Sequence, residues 1–219
     1  MNLVDRYPNY VTFNDGTICK AVREKLGITA NKNVCVPLKQ LNMVKELIID
    51  RRGFDYFPDI KLLRNLERLQ LTRCDIPDIK CITEMHNLKE LTIAECDIEN
   101  IDVFRKFTQI KSLDLSINCI SDISPISDLK QLERLNLQFN LIEDISPLQS
   151  LWRLKELYLS GNCNLQNINP LLNMPNLKLI TLHDIGRKKN IKIRDLRKAI
   201  KQNGGDCKIL TTLDAIQIQ

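Results

Sequence analysis

Two histidines and eight cysteines are the residues of this 219-residue chain best suited to chemistry, and their spacing points away from catalysis. An acyl-transfer or hydrolytic centre needs a nucleophile, a base and an orienting group converging in a shielded pocket. His86 falls between two apolar clusters, on what should be an outer arc. His183 stands beside Asp184, a neighbour pair that arises often by chance. There is no Gly-x-Ser-x-Gly turn to raise a serine, and no cysteine is spaced for pairing with a histidine. No Cys-x-x-Cys, no His-x-x-x-His and no phosphate-binding glycine loop occurs. The expectation is a non-enzyme with no cofactor and no metal site. The chemistry that remains is non-covalent recognition.

The residues suited to recognition stand in register. Ile117 and Phe139 are 22 positions apart, and Tyr158 falls one further copy along. Arg134, Gln138 and Glu156 lie in the same stretches as polar groups able to orient a partner. Apolar and aromatic anchors on a rigid surface carry most of the energy of a protein interface. The alternative for Phe139 is a half-buried place at the rim of the core.

These residues are positioned by a repeat. In the frame L-x-x-L-x-L-x-x-(N/C)-x-I the chain reads Val44, Leu47, Ile49, Arg52, Phe54, then Leu66, Leu69, Leu71, Cys74, Ile76. It continues Leu88, Leu91, Ile93, Cys96, Ile98, then Ile110, Leu113, Leu115, Asn118, Ile120, then Leu132, Leu135, Leu137, Asn140, Ile142. A sixth copy, Leu154, Leu157, Leu159, Asn162, has one extra residue before Leu165. A degraded seventh begins at Leu177, Ile180, Leu182. A period of this length marks a solenoid, in which each turn buries its apolar face only against a neighbour.

Within a copy, x-L-x-L-x alternates, so it is a short strand with its leucines inward, parallel to the strand of the next copy. Frame positions 3, 5, 7 and 8 should then face outward on the concave side. A buried asparagine at position 9 can satisfy backbone groups of the adjacent turn. Cys74 and Cys96 replace it as buried thiols. Asp122-Ile123-Ser124-Pro125-Ile126 and Asp144-Ile145-Ser146-Pro147-Leu148 occupy the second half of their copies. Proline and the short period favour 3₁₀ turns over a full helix on the convex side.

Three parts follow: a helical cap over 1–43, about seven repeats over 44–186, and a basic segment over 187–219. In the first, Asn14-Asp15 precede Ile18, Ala21, Val22 and Leu26, and Gly27 follows, which is a helix with a start and a stop. Pro37 opens a short turn through Leu38 and Leu41. In the last, Ile193, Leu196 and Ile200 mark one helical face before Asn203-Gly204-Gly205, and Ile209-Leu210 can form a final strand.

The net charge of +5 is unevenly spread, because residues 187–208 hold nine Lys or Arg against two Asp. That segment lacks the interleaved aromatics a nucleic-acid surface uses, and its apolar residues suit a core better than a membrane. It reads as the solvated face of a capping helix. No stretch is long and apolar enough to cross a bilayer, and MNLVDRYPNY has no apolar signal-like run. The expected compartment is reducing: cytoplasm, or a site of delivery without a visible signal, with a surface or secreted location as the alternative. Cys119 and Cys163 share a column two repeats apart, roughly 10 Å at one strand spacing per repeat, too far to bridge. Pairing of Cys19 with Cys35 stays open.

The repeats resemble the internalin type of leucine-rich repeat, on Ile-Ser-Asp-Ile-Ser-Pro-Ile at 120–126 and Ile-Glu-Asp-Ile-Ser-Pro-Leu at 142–148. The cap is similar as well, through Phe13-Asn14-Asp15, Val22, Leu26-Gly27, Leu41, Val44, Leu47, Asp50-Arg51 and Gly53-Phe54. The resemblance covers roughly residues 13–177. It implies an α/β solenoid, a right-handed superhelix with a concave parallel β-sheet, 3₁₀ turns outside and helical caps. It also implies a bacterial protein that binds another protein on the concave face. Intracellular eukaryotic proteins with the same repeat length include a regulator of a phosphatase. Three expectations result: a monomeric protein-binding module, host-interacting or an effector; an intracellular subunit docking an enzyme such as a phosphatase; or a binder of nucleic acid or anionic surfaces through 187–208.

Overall fold

The computed structural model describes residues 10–28, 36–51, 53–186, 193–202 and 206–211. Strand β1 (Tyr10–Val11) pairs antiparallel with β2 (Val36–Pro37), and helix α1 (Gly16–Leu26) lies between them in sequence. Asp15 starts the helix, its Oδ1 accepting from the Ile18 N–H at 2.7 Å. Gly27 ends it at φ 67°, a left-handed conformation that glycine adopts without a Cβ clash. Ile18 and Val22 are buried against the first repeat. The turn α2 (Leu38–Leu41) follows Pro37 and buries Leu41.

Asp15 also ties the cap down. Its Oδ2 accepts from the Tyr56 N–H at 2.8 Å, and its own N–H donates to Asp59 Oδ2 at 2.7 Å. Both carboxylates are buried; backbone donors satisfy Asp15, and the Asp15 N–H and the Asn14 side-chain amide satisfy Asp59. One N-cap residue therefore sets the helix start and latches the cap to the repeats.

The repeats form one eight-stranded parallel sheet: β3 (Glu46–Asp50), β4 (Arg68–Thr72), β5 (Glu90–Ala94), β6 (Ser112–Asp114), β7 (Arg134–Asn136), β8 (Glu156–Tyr158), β9 (Leu179–Thr181) and β10 (Lys208–Leu210). Every neighbour in space is the neighbour in sequence. The register stacks Leu47, Leu69, Leu91, Leu113, Leu135, Leu157, Ile180 and Ile209 into one buried column. Each such side chain contributes roughly 1.5–3 kcal/mol by leaving water. Six 3₁₀ turns, from Phe57–Leu62 to Asn169–Asn173, line the other side, four of them with proline at their start. Helix α3 (Ile193–Gln202) packs on the last turn, with Leu196 buried, and β10 completes the sheet. Arg52, Cys35 and Asn203–Gly205 lie outside the described residues, as do 187–192; Cys19 is a free thiol.

The position-9 ladder is continuous. Asn118 Nδ2 donates to the carbonyls of Ile93 (2.8 Å) and Leu115 (3.0 Å), and its Oδ1 accepts from Cys96 N–H (3.1 Å) and Ile98 N–H (3.0 Å). Asn140 and Asn162 repeat the pattern one turn on, each accepting from a single N–H, that of Ile120 or Ile142. The thiols of Cys74 and Cys96 reach the carbonyls of Ile49 and Leu71 at 3.6 Å, a weaker version of the same bond.

One expectation about facing is corrected. Position 7 does not face outward throughout, because Ala94, Ser116 and Ser160 are buried and Gln138 is half-buried. In two of these repeats a short polar side chain at position 5 folds onto position 7, Asp114 Oδ1 accepting from the Ser116 N–H (2.9 Å) and Asn136 Oδ1 from the Gln138 N–H (3.1 Å). These short side chains fold over the strand end and compete with the backbone ladder, and the strands shorten from five residues to three at these repeats.

Candidate functional site

The sheet face carries a ladder of opposite charges at position 3. Arg68 bridges Glu46 (3.3 Å) and Glu90 (2.9 Å), and Lys25 of the cap also reaches Glu46. Further along, Arg134 holds Glu156 through two bonds, at 2.8 and 3.1 Å, and the Tyr158 O–H donates to Glu156 Oε2 at 2.8 Å. The structure thus gathers Arg134, Glu156 and Tyr158 into a closed set whose polar atoms serve each other. The Arg134 bond holds the Glu156 carboxyl below the usual carboxylate range, while burial and then the Glu156 bond push the Tyr158 phenol up. A second ladder runs at position 2, with Glu67 between Lys45 and Lys89 (3.4 and 2.6 Å) and Glu133 bound to Lys155 at 2.5 Å.

The hydrogen bonds to Lys25, Lys89 and Lys155 likewise depress Glu46, Glu67 and Glu133. A carboxylate depressed in the folded state adds stability that is present above its unfolded pKa of ~4.3 and is lost as pH falls through the folded value. These groups are exposed, so the effect is small and salt-sensitive. Urea midpoints should hold from pH 7 to about 5 and fall below ~4, and Arg134→Gln should flatten part of that fall. A midpoint that rises on acidification would contradict the ladder.

Ile117 and Phe139 stand apart from these closed sets. They occupy position 8, where the backbone is left-handed in every described repeat: Arg51, Arg73, Glu95, Ile117, Phe139, Gly161 and Asp184 all have φ between 49° and 82°. The rung is kept, since Ile117 N–H donates to Gln138 O and Phe139 N–H to Ser160 O, both at 2.8 Å. The side chain, however, swings away from the core onto the rim. Ile117 is 46% exposed and Phe139 56%. Phe139 lies against Gly161, where a Cβ would come within 2.4 Å of the ring. Glycine at that left-handed position makes the ring's seat. Leu141, two residues after Phe139, is 49% exposed, and Cys119 and Cys163 are half-buried on either side of it in the same column. Ile117, Phe139 and Leu141 thus form an apolar ridge where the strands end.

A β-branched side chain in the left-handed region is strained by roughly 1–2 kcal/mol. Ile117→Asn is therefore expected to raise stability by about 1 kcal/mol, because asparagine tolerates that conformation. Denaturant midpoints check this, and a loss of stability would show that Ile117 belongs to the core.

Gln138 is half-buried and sits between the ridge and the Arg134 set. Tyr158 is half-buried at position 5 of the next strand, paired with Asn136, and its hydroxyl is engaged by Glu156. Leu141 is missing from the residues that the sequence singles out, and Cys119 and Cys163 figure there only as a column too widely spaced to bridge. Their signal is the position-10 column, which runs Asp75, Asp97, Cys119, Leu141, Cys163 and turns apolar from the fourth repeat.

Residues suited to chemistry do not converge. His183 is half-buried, with its backbone N–H on Ser160 Oγ at 3.1 Å. The Cys96 thiol is pushed far up by its bond with Cys74 and by burial, which disfavours a nucleophilic thiolate. Among the described residues, no cluster of three His, Cys, Asp or Glu side chains is disposed to hold a metal, and no helix is long and apolar enough to cross a membrane.

A family model described as leucine rich repeats (2 copies) matches residues 108–150, the fourth and fifth repeats. No curated protein matches the chain. Among solved structures, internalin C2 from Listeria monocytogenes is similar at 23% identity and TM-score 0.73, over 91% of this chain and 94% of that one. An internalin F from the same organism gives 22% identity and TM-score 0.50, over 91% and 75%. A leucine-rich-repeat protein of Leptospira interrogans gives 21% and 0.56, over 80% and 51%. The chain has the leucine-rich-repeat fold seen in these internalins. That fold is in general a module for protein interaction.

Proposed function

We propose that this chain is a non-enzymatic docking module, of bacterial origin, that binds one protein partner through the apolar ridge of repeats four to six. The observation that carries the reading is the exposure of Ile117 and Phe139 at left-handed positions. The core gains little from these side chains there, and the backbone is strained to hold them. Rigid rungs fix them in columns, so a partner loses little contact energy to ordering them. Ile117 and Phe139 act as anchors, with Tyr158 on the next strand. Arg134, Glu156 and Gln138 frame the site. The module works as a monomer in a reducing compartment, the cytoplasm or a place of delivery.

Crosslinking mass spectrometry on the full chain in host and in self lysates tests the reading. The expected result is a partner crosslinked near the strand ends of repeats four to six, lost with Phe139→Ala and kept with Trp152→Ala. Trp152 is 54% exposed, but it stands at the opposite strand edge under the Arg153 guanidinium. A host partner supports the effector role, and a self enzyme supports the regulatory subunit. Capture abolished only by Lys188/Lys189/Arg197/Lys198→Ala would move function to the basic segment instead.

A further inference from the structure

The glutamates of the sheet face and the carboxylates around the ridge differ in their partners. On the sheet face and its lower edge, Glu46, Glu67, Glu90, Glu133 and Glu156 each meet a lysine or arginine of the same chain. Around the ridge this ceases. Glu95, Asp97, Glu99, Asp122, Glu143 and Asp144 are all exposed, and among the described residues none of them is in an ion pair. Asp122 and Asp144 accept from the Ser124 and Ser146 N–H groups, at 2.8 and 2.9 Å, and from the hydroxyls of the same serines, at 3.0 and 2.5 Å, and Glu143 meets the neutral Gln166 amide at 2.9 Å. The stretches 94–102, 117–128 and 139–150 contain no Lys or Arg at all, in a chain whose net charge is +5. Arg105, which reaches Asp102, Asp128 and Ser124 from the neighbouring 3₁₀ turn, leaves these six carboxylates outside its salt bridges.

We propose that the ridge and its acidic border form one docking site for a protein segment carrying a bulky apolar side chain flanked by lysines or arginines. The inference rests on the proposed binding function and adds the chemistry of the occupant. The apolar side chain covers Phe139 and Leu141, and the flanking cations meet carboxylates that are in no salt bridge among the described residues of the free protein. A neutral or acidic segment would desolvate those carboxylates without return, so the border selects as well as attracts. A second copy is a poor occupant, because the apolar residues of its own basic helix, Ile193, Leu196 and Ile200, are already packed on the core.

The test uses the full chain and three labelled peptides of equal length, followed by fluorescence anisotropy. One alternates Trp and Leu with Lys and Arg, one keeps the apolar residues but carries Glu, and one keeps the Lys and Arg but carries Ser. Non-specific attraction to a protein of +5 would favour the acidic peptide. The expected result is that the basic apolar peptide binds at least about tenfold more tightly than the other two. Its affinity should fall about tenfold or more with Phe139→Ala, and again with Glu95→Gln/Asp97→Asn/Glu99→Gln. Failure of the basic apolar peptide to bind, or its indifference to the triple variant, overturns the proposal. If the acidic apolar peptide binds instead and depends on Phe139, the charge inference falls while the docking function stands. Peptide binding that ignores Phe139 sinks both. Sedimentation showing a dimer broken by Phe139→Ala would assign the face to a second copy and overturn the proposal.

Discussion

Asn118→Ala is expected to lower stability by about 3 kcal/mol, more than Asn140→Ala, at about 2 kcal/mol. The two side chains occupy the same ladder position and are both buried, but they satisfy different numbers of backbone groups. Asn118 accepts from both Cys96 N–H and Ile98 N–H, whereas Asn140 accepts from Ile120 N–H alone. The N–H equivalent to that of Cys96, one repeat on, is the Asn118 N–H, and it donates to the Phe139 carbonyl at 3.3 Å instead. Alanine at 118 leaves two buried donors without a partner as well as freeing the carbonyls of Ile93 and Leu115. Cys74→Ala should cost less, roughly 1 kcal/mol, since a thiol donates weakly and leaves only a small cavity. Urea denaturation of the three variants checks the order. Equal midpoints for Asn118→Ala and the unmodified chain would remove the ladder from the account.

Phe139→Ala is expected to weaken partner binding by ~2 kcal/mol or more while leaving the thermal midpoint nearly unchanged. The ring is more exposed than buried and lies on Gly161, so its removal opens no cavity in the core. The substitution keeps the left-handed backbone that the rung to Ser160 requires. Calorimetry on the free protein and titration against the crosslinked partner separate the two effects. A sharp loss of stability with binding spared would make Phe139 a core residue and dissolve the ridge.

The repeat made most of the architecture legible in the sequence. Leucines at a fixed spacing can bury their side chains only by stacking, so the strand column from Leu47 to Leu157, the asparagine ladder and the 3₁₀ turns after Asp122 and Asp144 followed from pattern alone. The N-cap at Asp15 and the stop at Gly27 were legible for local reasons of hydrogen bonding and backbone freedom. Less of the candidate site could be read. Alternation along a strand assigns faces only while the backbone stays extended, and it does not stay extended at position 8. The left-handed turn there lifts Ile117 and Phe139 to the rim, and the side chains of Asp114 and Asn136 fold onto position 7 beneath them. The pairing of Arg134 with Glu156 and Tyr158 depends on side-chain reach between neighbouring strands, which a single-chain pattern does not encode. Leu141 was passed over because the frame marks position 10 as a turn, and only the column of equivalent residues reveals its apolar change. The ion-paired carboxylates of the sheet and the ridge carboxylates outside any described salt bridge look alike in sequence for the same reason.

The central claim is that a protein partner docks on the apolar ridge at the strand ends of repeats four to six. Hydrogen–deuterium exchange on the full chain, with and without its crosslinked partner, tests it most directly, because backbone protection reports the footprint without any mutation. The account predicts new protection at 117–123 and 139–144, with the 3₁₀ turns and helix α3 unchanged. Protection confined to 193–202 or to the turns at 124–128 and 146–150, with the ridge exchanging as in the free protein, would contradict it.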